Sequence, residues 1–256
     1  MLSIANRNTI DSKRGGLTGL NKIFASYNFT NMWSSENIDI SGTNTTLLDY
    51  AGEHDLVNPA AANQPTFVSS DADFNGKPSL TYNGTTDYSY KAVSDWRGSD
   101  SSGMFIGVYK IVSGVRSEFL ATCDTSASSQ YVILVTAAND LNLNIKGIAD
   151  GVNNIFNADT PTTVLGSPAV IGFGSTGSKY KFSENSSIKT GTATTGTDNG
   201  KWIGDISLRD NISIGASVIT GVLHANIEWV FSGNMPYISD SNVISVQNEL
   251  KTYYGI

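Results

Sequence analysis

A few acidic, amide and aromatic positions in this chain have the type and spacing to do chemistry. Asp71-Ala72-Asp73-Phe74-Asn75-Gly76 copies the first half of a calcium loop, D-x-D-x-N-G. In such a loop, short oxygen ligands at alternate positions curl around a hard cation, and the glycine allows the sharp turn. The twelfth position, where a bidentate Glu belongs, is Tyr82. The motif therefore reads as an acidic turn ahead of an Asn75-Gly76 hairpin, with no resident metal expected. Asp95 and Trp96 stand in the polar stretch Ser94–Asp100. An indole can stack on a sugar ring while a neighbouring carboxylate binds its hydroxyls, so the pair is the candidate glycan contact. The same residues could instead tack a loop onto a sandwich edge. Trp202, beside Gly200 and Lys201, is a second such position, whereas Trp229 alternates with apolar neighbours and reads as core.

Catalytic constellations are harder to find. The six Glu are at 36, 53, 118, 184, 228 and 249, and none is spaced as a Glu-x-Asp-x-x-Glu pair on one strand. Glycoside cleavage needs two carboxyl groups about 5 to 9.5 Å apart in one groove. Glu228 has only Asn226 and Val230 where partners would sit, so it reads as a cross-strand pair or edge charge. No Gly-x-Ser-x-Gly elbow occurs, and a Ser-His-Asp triad would have to use His54, in a polar turn, or His224. Two His and one Cys leave no multi-Cys or His-rich metal site, no intrachain disulfide, and Cys123 as a small apolar residue. No enzymatic activity and no cofactor are expected.

Composition narrows the class further. Only 15% of the 256 residues are charged, and the formal net charge is -7. A general nucleic-acid surface needs clustered Lys and Arg and is not expected. No segment reaches the roughly 18 apolar residues of a membrane span. Arg7 arrives before any apolar run forms, so no secretory signal is visible, and glycosylation at the five Asn-x-Ser/Thr sequons is not expected.

The elements that would position these residues are mostly short strands. Leu141, Leu143 and Ile145 alternate with Asn, as do Ile212, Ile214, Ala216 and Val218 with Ser and Gly. Ala225, Ile227, Trp229 and Phe231 repeat the period of two, which suits half-buried strands. Tyr131–Val135 is continuously β-branched or aromatic and predicts a strand covered on both faces. Met104–Val112 predicts another. Asn-Gly, Asp-Gly and Ser-Gly-Asn turns separate the runs. Residues 183–200 read as an exposed hairpin or long loop. One helix is expected, capped by Ser239, striped by Val243, Val246, Leu250 and Tyr253, and ended by Gly255. Residues 1–24 carry Arg7, Lys13, Arg14 and Lys22 against Asp11, a net +3, which leaves -10 on the remainder. They read as an irregular arm leading into a first strand near Ile23–Phe29.

Three stretches also carry a resemblance. They are Gln64–Phe67 with Asn75–Tyr88, then Ile212–Ala216 with Ala225–Phe231, and finally Ile238–Ile256. In this order they resemble the concanavalin A-like, laminin-G-like domains found in bacteriophage structural proteins and bacterial surface proteins. The resemblance implies an all-β fold, a two-sheet antiparallel β-sandwich of jelly-roll type with one C-terminal α-helix. It spans residues 25–256, with residues 1–24 as an N-terminal arm. It further implies a non-enzymatic virion structural or accessory protein: a capsid decoration protein, head fibre or tail-associated component. Such a protein would assemble in a host cytoplasm as an oligomer or part of a large assembly, with other virion proteins bound through its arm and glycans as further partners. The alternative is a carbohydrate-binding module recognising surface glycans.

Overall fold

The computed structural model describes residues 19–112, 117–128, 130–136, 143–149, 152–159, 162–206 and 208–256. In chain order come helix α1 (Gly19–Tyr27) and strands β1 (Asn31–Ser34), β2 (Ile38–Ser41), β3 (Asn44–Leu47), β4 (Leu56–Val57), β5 (Thr66–Asp71), β6 (Lys77–Asn83) and β7 (Ser89–Ala92). Next are β8 (Gly103–Ile111), β9 (Ser117–Cys123), β10 (Tyr131–Thr136), β11 (Leu143–Ala149), β12 (Val152–Ala158), β13 (Pro168–Ser175) and β14 (Tyr180–Glu184). The series ends with β15 (Ser187–Lys189), β16 (Gly191–Thr195), β17 (Asn211–Ile214), β18 (Ala216–Val218), β19 (Val222–His224), β20 (Asn226–Met235) and helix α2 (Asp240–Tyr254).

Two antiparallel sheets form the sandwich. One runs β15-β14-β13-β8-β20-β6-β5, with β1 added beside β20. The other runs β16-β12-β11-β10-β9-β17-β7-β4-β3-β2. The alternation of β8 shows how the layers are made. Phe105, Tyr109 and Ile111 face the core between the sheets, with Phe173, Trp229, Leu120, Val132 and Ile212. Met104, Ile106 and Val108 point the other way and meet α1 and α2 in a second core. Successive strand side chains must leave opposite faces, so a strand buried on both sides has to be apolar throughout. The expected two-sided burial of Tyr131–Val135 has the same origin: Val132 and Leu134 join the main core, while Tyr131 and Ile133 join Ala121 and Cys123 on the outer face.

The architecture matches the expected sandwich with its terminal helix, but several local expectations change. Ile23–Phe29 is not a strand. Leu20, Ile23 and Tyr27 are buried at helical spacing in α1, which crosses the boundary placed at residue 24 and packs on α2. Residues 1–18 of the expected arm lie outside the described residues. The run Ile212–Val218 is not one strand either. Gly215 takes φ +80°, and a Cβ there would sit 2.2 Å from the Tyr82 ring, so the chain folds back. Ser213 Oγ then donates to the Ala216 carbonyl at 2.8 Å, and β18 with β19 forms a hairpin over β9. In β20 a register shift between Trp229 and Phe231 moves Phe231 out of the expected alternation, so Val230 and Phe231 both enter the helix-side core. Within 183–200, Asn185 and Ser186 take left-handed φ values and close a β14-β15 hairpin. The Thr-rich run after it forms β16, an exposed edge of the other sheet.

α2 begins and ends as its caps dictate. Ser239 Oγ accepts from Asn242 N at 3.1 Å, and Gly255 closes the helix at φ +72°. Its buried stripe is Val243, Val246, Leu250 and Tyr254, with Gln247 beside it. Tyr253, expected in the stripe, lies on its flank, where its hydroxyl donates to Glu36 at 2.9 Å.

The fully buried Glu184 carboxylate has a measurable consequence. It accepts from Thr162 N at 2.7 Å, from Thr162 Oγ1 at 2.8 Å and from Thr163 Oγ1, and Lys189 Nζ lies 3.3 Å away. Burial pushes its pKa up, but the Thr163 and Thr162 hydrogen bonds and the Lys189 charge outweigh that, and the net shift is below 4.5. A depressed carboxyl pKa contributes stability above its unfolded value and loses it as pH falls through the folded one. Melts of the wild type will therefore drop below about pH 4.5, and Glu184→Gln will flatten that acid limb while costing about 1–3 kcal/mol at pH 7.

Candidate functional site

The two residues expected to hold a sugar are separated by the fold. Trp96 is only 2% exposed and belongs to the main core. Its indole stacks on Phe105, with ring centroids 6.2 Å apart, and the His54 ring meets it edge-on at 6.5 Å. A ring so enclosed has no free face for a ligand, which corrects the glycan role given to Trp96. Asp95 does stay outside, with its side chain 79% exposed. It sits at φ +53° and accepts from the buried Arg209, whose Nε also donates to the Trp96 carbonyl at 3.2 Å. Arg209 thus ties this loop to the sandwich, the alternative that the sequence left open. Trp202 is also core, against Phe105 and Phe173.

The D-x-D-x-N stretch is likewise put to another use. Asp71 Oδ1 accepts from Asp73 N at 3.0 Å, and its Oδ2 accepts from Ser79 Oγ at 2.7 Å. Asn75 takes φ +57° and turns its amide toward the Tyr253 carbonyl, 3.5 Å away on α2. Glu228, not Asn75, completes an acidic group with Asp71 and Asp73, with oxygens within 4.8 Å of one another. Lys110 Nζ lies 2.6 Å from Asp73 Oδ2 and 2.5 Å from Glu228 Oε2. The ammonium takes the position a cation would need. Glu228 and Lys110 are directly opposed on β20 and β8, so Glu228 is the cross-strand partner that its isolation on the strand implied.

A different surface draws together what the sequence left scattered. Residues 87–90 alternate in burial: Asp87 and Ser89 are buried, whereas Tyr88 and Tyr90 are half-exposed. Among the described residues, these two tyrosines are the aromatic side chains that join none of the three apolar clusters. They lie on the outer face of the ten-stranded sheet, because Ser89 on the other side of the strand hydrogen-bonds the core Tyr82 hydroxyl at 3.0 Å. The Tyr88 and Tyr90 rings are 6.4 Å apart at 76°. His224, at the end of the β18-β19 hairpin, meets Tyr88 edge-on at 5.6 Å. Val57, paired with Tyr90, is 41% exposed and extends the patch.

Two carboxylates border it. Asp87 accepts from Asn83 Nδ2 at 2.9 Å and Thr86 Oγ1 at 3.0 Å, which fixes the turn before Tyr88. Burial pushes the Asp87 carboxyl up, against the Thr86 and Asn83 hydrogen bonds and the nearby His224. Asp210 accepts from Thr125 N at 3.0 Å and Asn211 Nδ2 at 2.8 Å. The Tyr90 hydroxyl is pushed up by burial and then by the Asp210 charge. The sequence signal for this patch was the Tyr-Ser-Tyr alternation itself, with a polar residue between the rings and no apolar neighbour to bury them.

No family model matches the sequence, and no curated protein matches it. Solved structures share its fold. A Trypanosoma rangeli sialidase superposes with a TM-score of 0.59 over 88% of this chain and 32% of its own, at 9% identity. The NanB sialidase from Streptococcus pneumoniae, as its K499G mutant, gives 0.51 over 65% of this chain and 27% of its own, at 15% identity. The CBM40 of a Ruminococcus gnavus IT-sialidase, bound to α2,6-sialyllactose, gives 0.48 over 57% of this chain and 82% of its own, at 17% identity. The chain thus spans about a third or less of either whole sialidase it matches. What is common to the chain and these two sialidases is the antiparallel β-sandwich fold.

Proposed function

We propose that this chain is a non-catalytic carbohydrate-binding module that holds a pyranose against Tyr88 and Tyr90. The observation that carries the reading is that these two rings, and no other aromatic side chains among the described residues, stand outside every apolar cluster. A tyrosine pairs an apolar face with a polar tip and loses few rotamers on binding, which suits the apolar face and hydroxyl rim of a sugar. The shared sandwich in two sialidase chains supports the glycan reading over the virion role that the bacteriophage resemblance implied. Binding without cleavage fits the carboxylates too: Asp73 and Glu228, the facing pair, both hold Lys110.

A glycan array probed with the full chain will show saturable binding with no release of reducing ends. Tyr88→Ala and Tyr90→Ala will each weaken it about tenfold, the value of one aromatic contact. Their melting temperatures will stay near wild type, since neither ring is in a core. Undiminished binding by the double variant, or none by the wild type, would remove this reading.

A further inference from the structure

The register of the ten-stranded sheet fixes what lies beside the two tyrosines, and with it the form of the glycan, given the glycan-binding reading above. Residues directly opposed on antiparallel strands share a face. Ile38, Leu47 and Leu56 are opposed in series across β2, β3 and β4, and all three belong to the inter-sheet core. Their neighbours along the strands therefore point outward. These are Asp39, Thr46 and Val57, again opposed in series, and Val57 is opposed to Tyr90 on β7. A single row, Tyr90–Val57–Thr46–Asp39, thus crosses the outer face and ends on β2, the edge of the sheet. None of these residues is buried. Adjacent strands lie about 4.8 Å apart, so the row spans about 14 Å. One strand spacing is close to the length of a pyranose, which gives the row room for about three.

The row grades from aromatic through aliphatic to polar. Neither the Thr46 hydroxyl nor the Asp39 carboxylate has an intramolecular polar partner among the described residues, and both can serve a ligand's hydroxyls. The other end of the row is closed. Ser213 on β17 is opposed to Tyr90, and Ala121 on β9 is opposed to Ser213, so both point outward, yet both are fully buried. The β18-β19 hairpin covers them. Ser213 Oγ donates to the Ala216 carbonyl, Asn211 Nδ2 donates to the Val218 carbonyl at 2.9 Å, and His224 stands edge-on to Tyr88.

We infer that this face seats the end of a linear oligosaccharide of at least three sugars. The terminal ring rests on Tyr88 and Tyr90 against the hairpin, and the chain leaves over Val57, Thr46 and Asp39 across the β2 edge.

The test titrates the full chain with the cello-, malto-, chito- and manno-oligosaccharide series, from monosaccharide to hexasaccharide. In a series that binds, affinity should rise about tenfold from monosaccharide to trisaccharide and then level off. The double variant Thr46→Val with Asp39→Ala, at two surface positions, should keep the monosaccharide affinity and lose the rise. Calorimetry with the long polysaccharide of that series should saturate at one protein per chain. Affinity independent of length, or a rise that survives the double variant, would overturn the row and leave the tyrosine platform standing. Several proteins per chain would overturn the seating of an end. Binding to none of the series would overturn the linear-chain seating, whereas an array without binding, or binding indifferent to Tyr88→Ala, would overturn the glycan reading itself.

Discussion

Trp96→Ala will cost about 3–5 kcal/mol of folding stability, the usual price of emptying a buried aromatic site. The indole lies against Phe105, which in turn contacts Trp202, and Trp202 contacts Phe173, so its removal opens the middle of the inter-sheet core. His54 closes the other side and cannot fill the space. Its loop is held by Asp49, which accepts from Met32 N, Ala51 N and His54 N at 3.0 to 3.2 Å. Denaturant unfolding should show a lower midpoint with an unchanged slope. Glycan binding, measured well below the new midpoint, should be unaffected. Native stability in the variant together with lost binding would return Trp96 to the ligand site.

Replacing Lys110 by Ala will have the next largest effect, about 2–3 kcal/mol. Breaking a buried pair costs more than this, but Asp73 is 47% exposed and water softens its isolation. Glu228 is 21% exposed, and Lys110 only 15%, so the loss is felt mainly between β8 and β20. The variant also leaves three carboxylates converging on an empty centre. Millimolar calcium should then raise its melting temperature by linkage, while neither calcium nor chelator moves the wild type. A wild-type melt that falls on chelation would show that the ammonium and a metal do not compete there.

The sandwich was legible because its strongest signals are periodic over many residues. Two-sided burial of Tyr131–Ile133 follows directly from an unbroken β-branched run, and α2 from its caps and spacing. α1 was also written in the chain: Leu20, Ile23 and Tyr27 have helical spacing, and Gly19 just before them drew attention away. Gly215 and the Val230 bulge were not legible, since each depends on a partner distant in sequence, Tyr82 in one case and the helix-side core in the other. The site misled for the same reason. A Trp in a polar loop looks exposed until Arg209, over a hundred residues away, ties that loop down. Tyr88 and Tyr90 stand out only once the fold shows that neither joins an apolar cluster.

The eight-stranded sheet is covered on both faces, by the other sheet and by the two helices. In hydrogen exchange, this places the amides of β8, β13 and β20 in one cooperative unit that opens only with global unfolding, since nearly every residue along them is buried. β16 has every residue exposed at an edge of the other sheet, and β19 is largely exposed while its partner β18 is buried over β9, so β16 and β19 should exchange through small local openings. The hairpin carries His224 to the rim of the tyrosine platform. Tyr88 therefore sits beside this hairpin on the outer face of the ten-stranded sheet, and ligand occupancy should register as protection of the Val222–His224 amides.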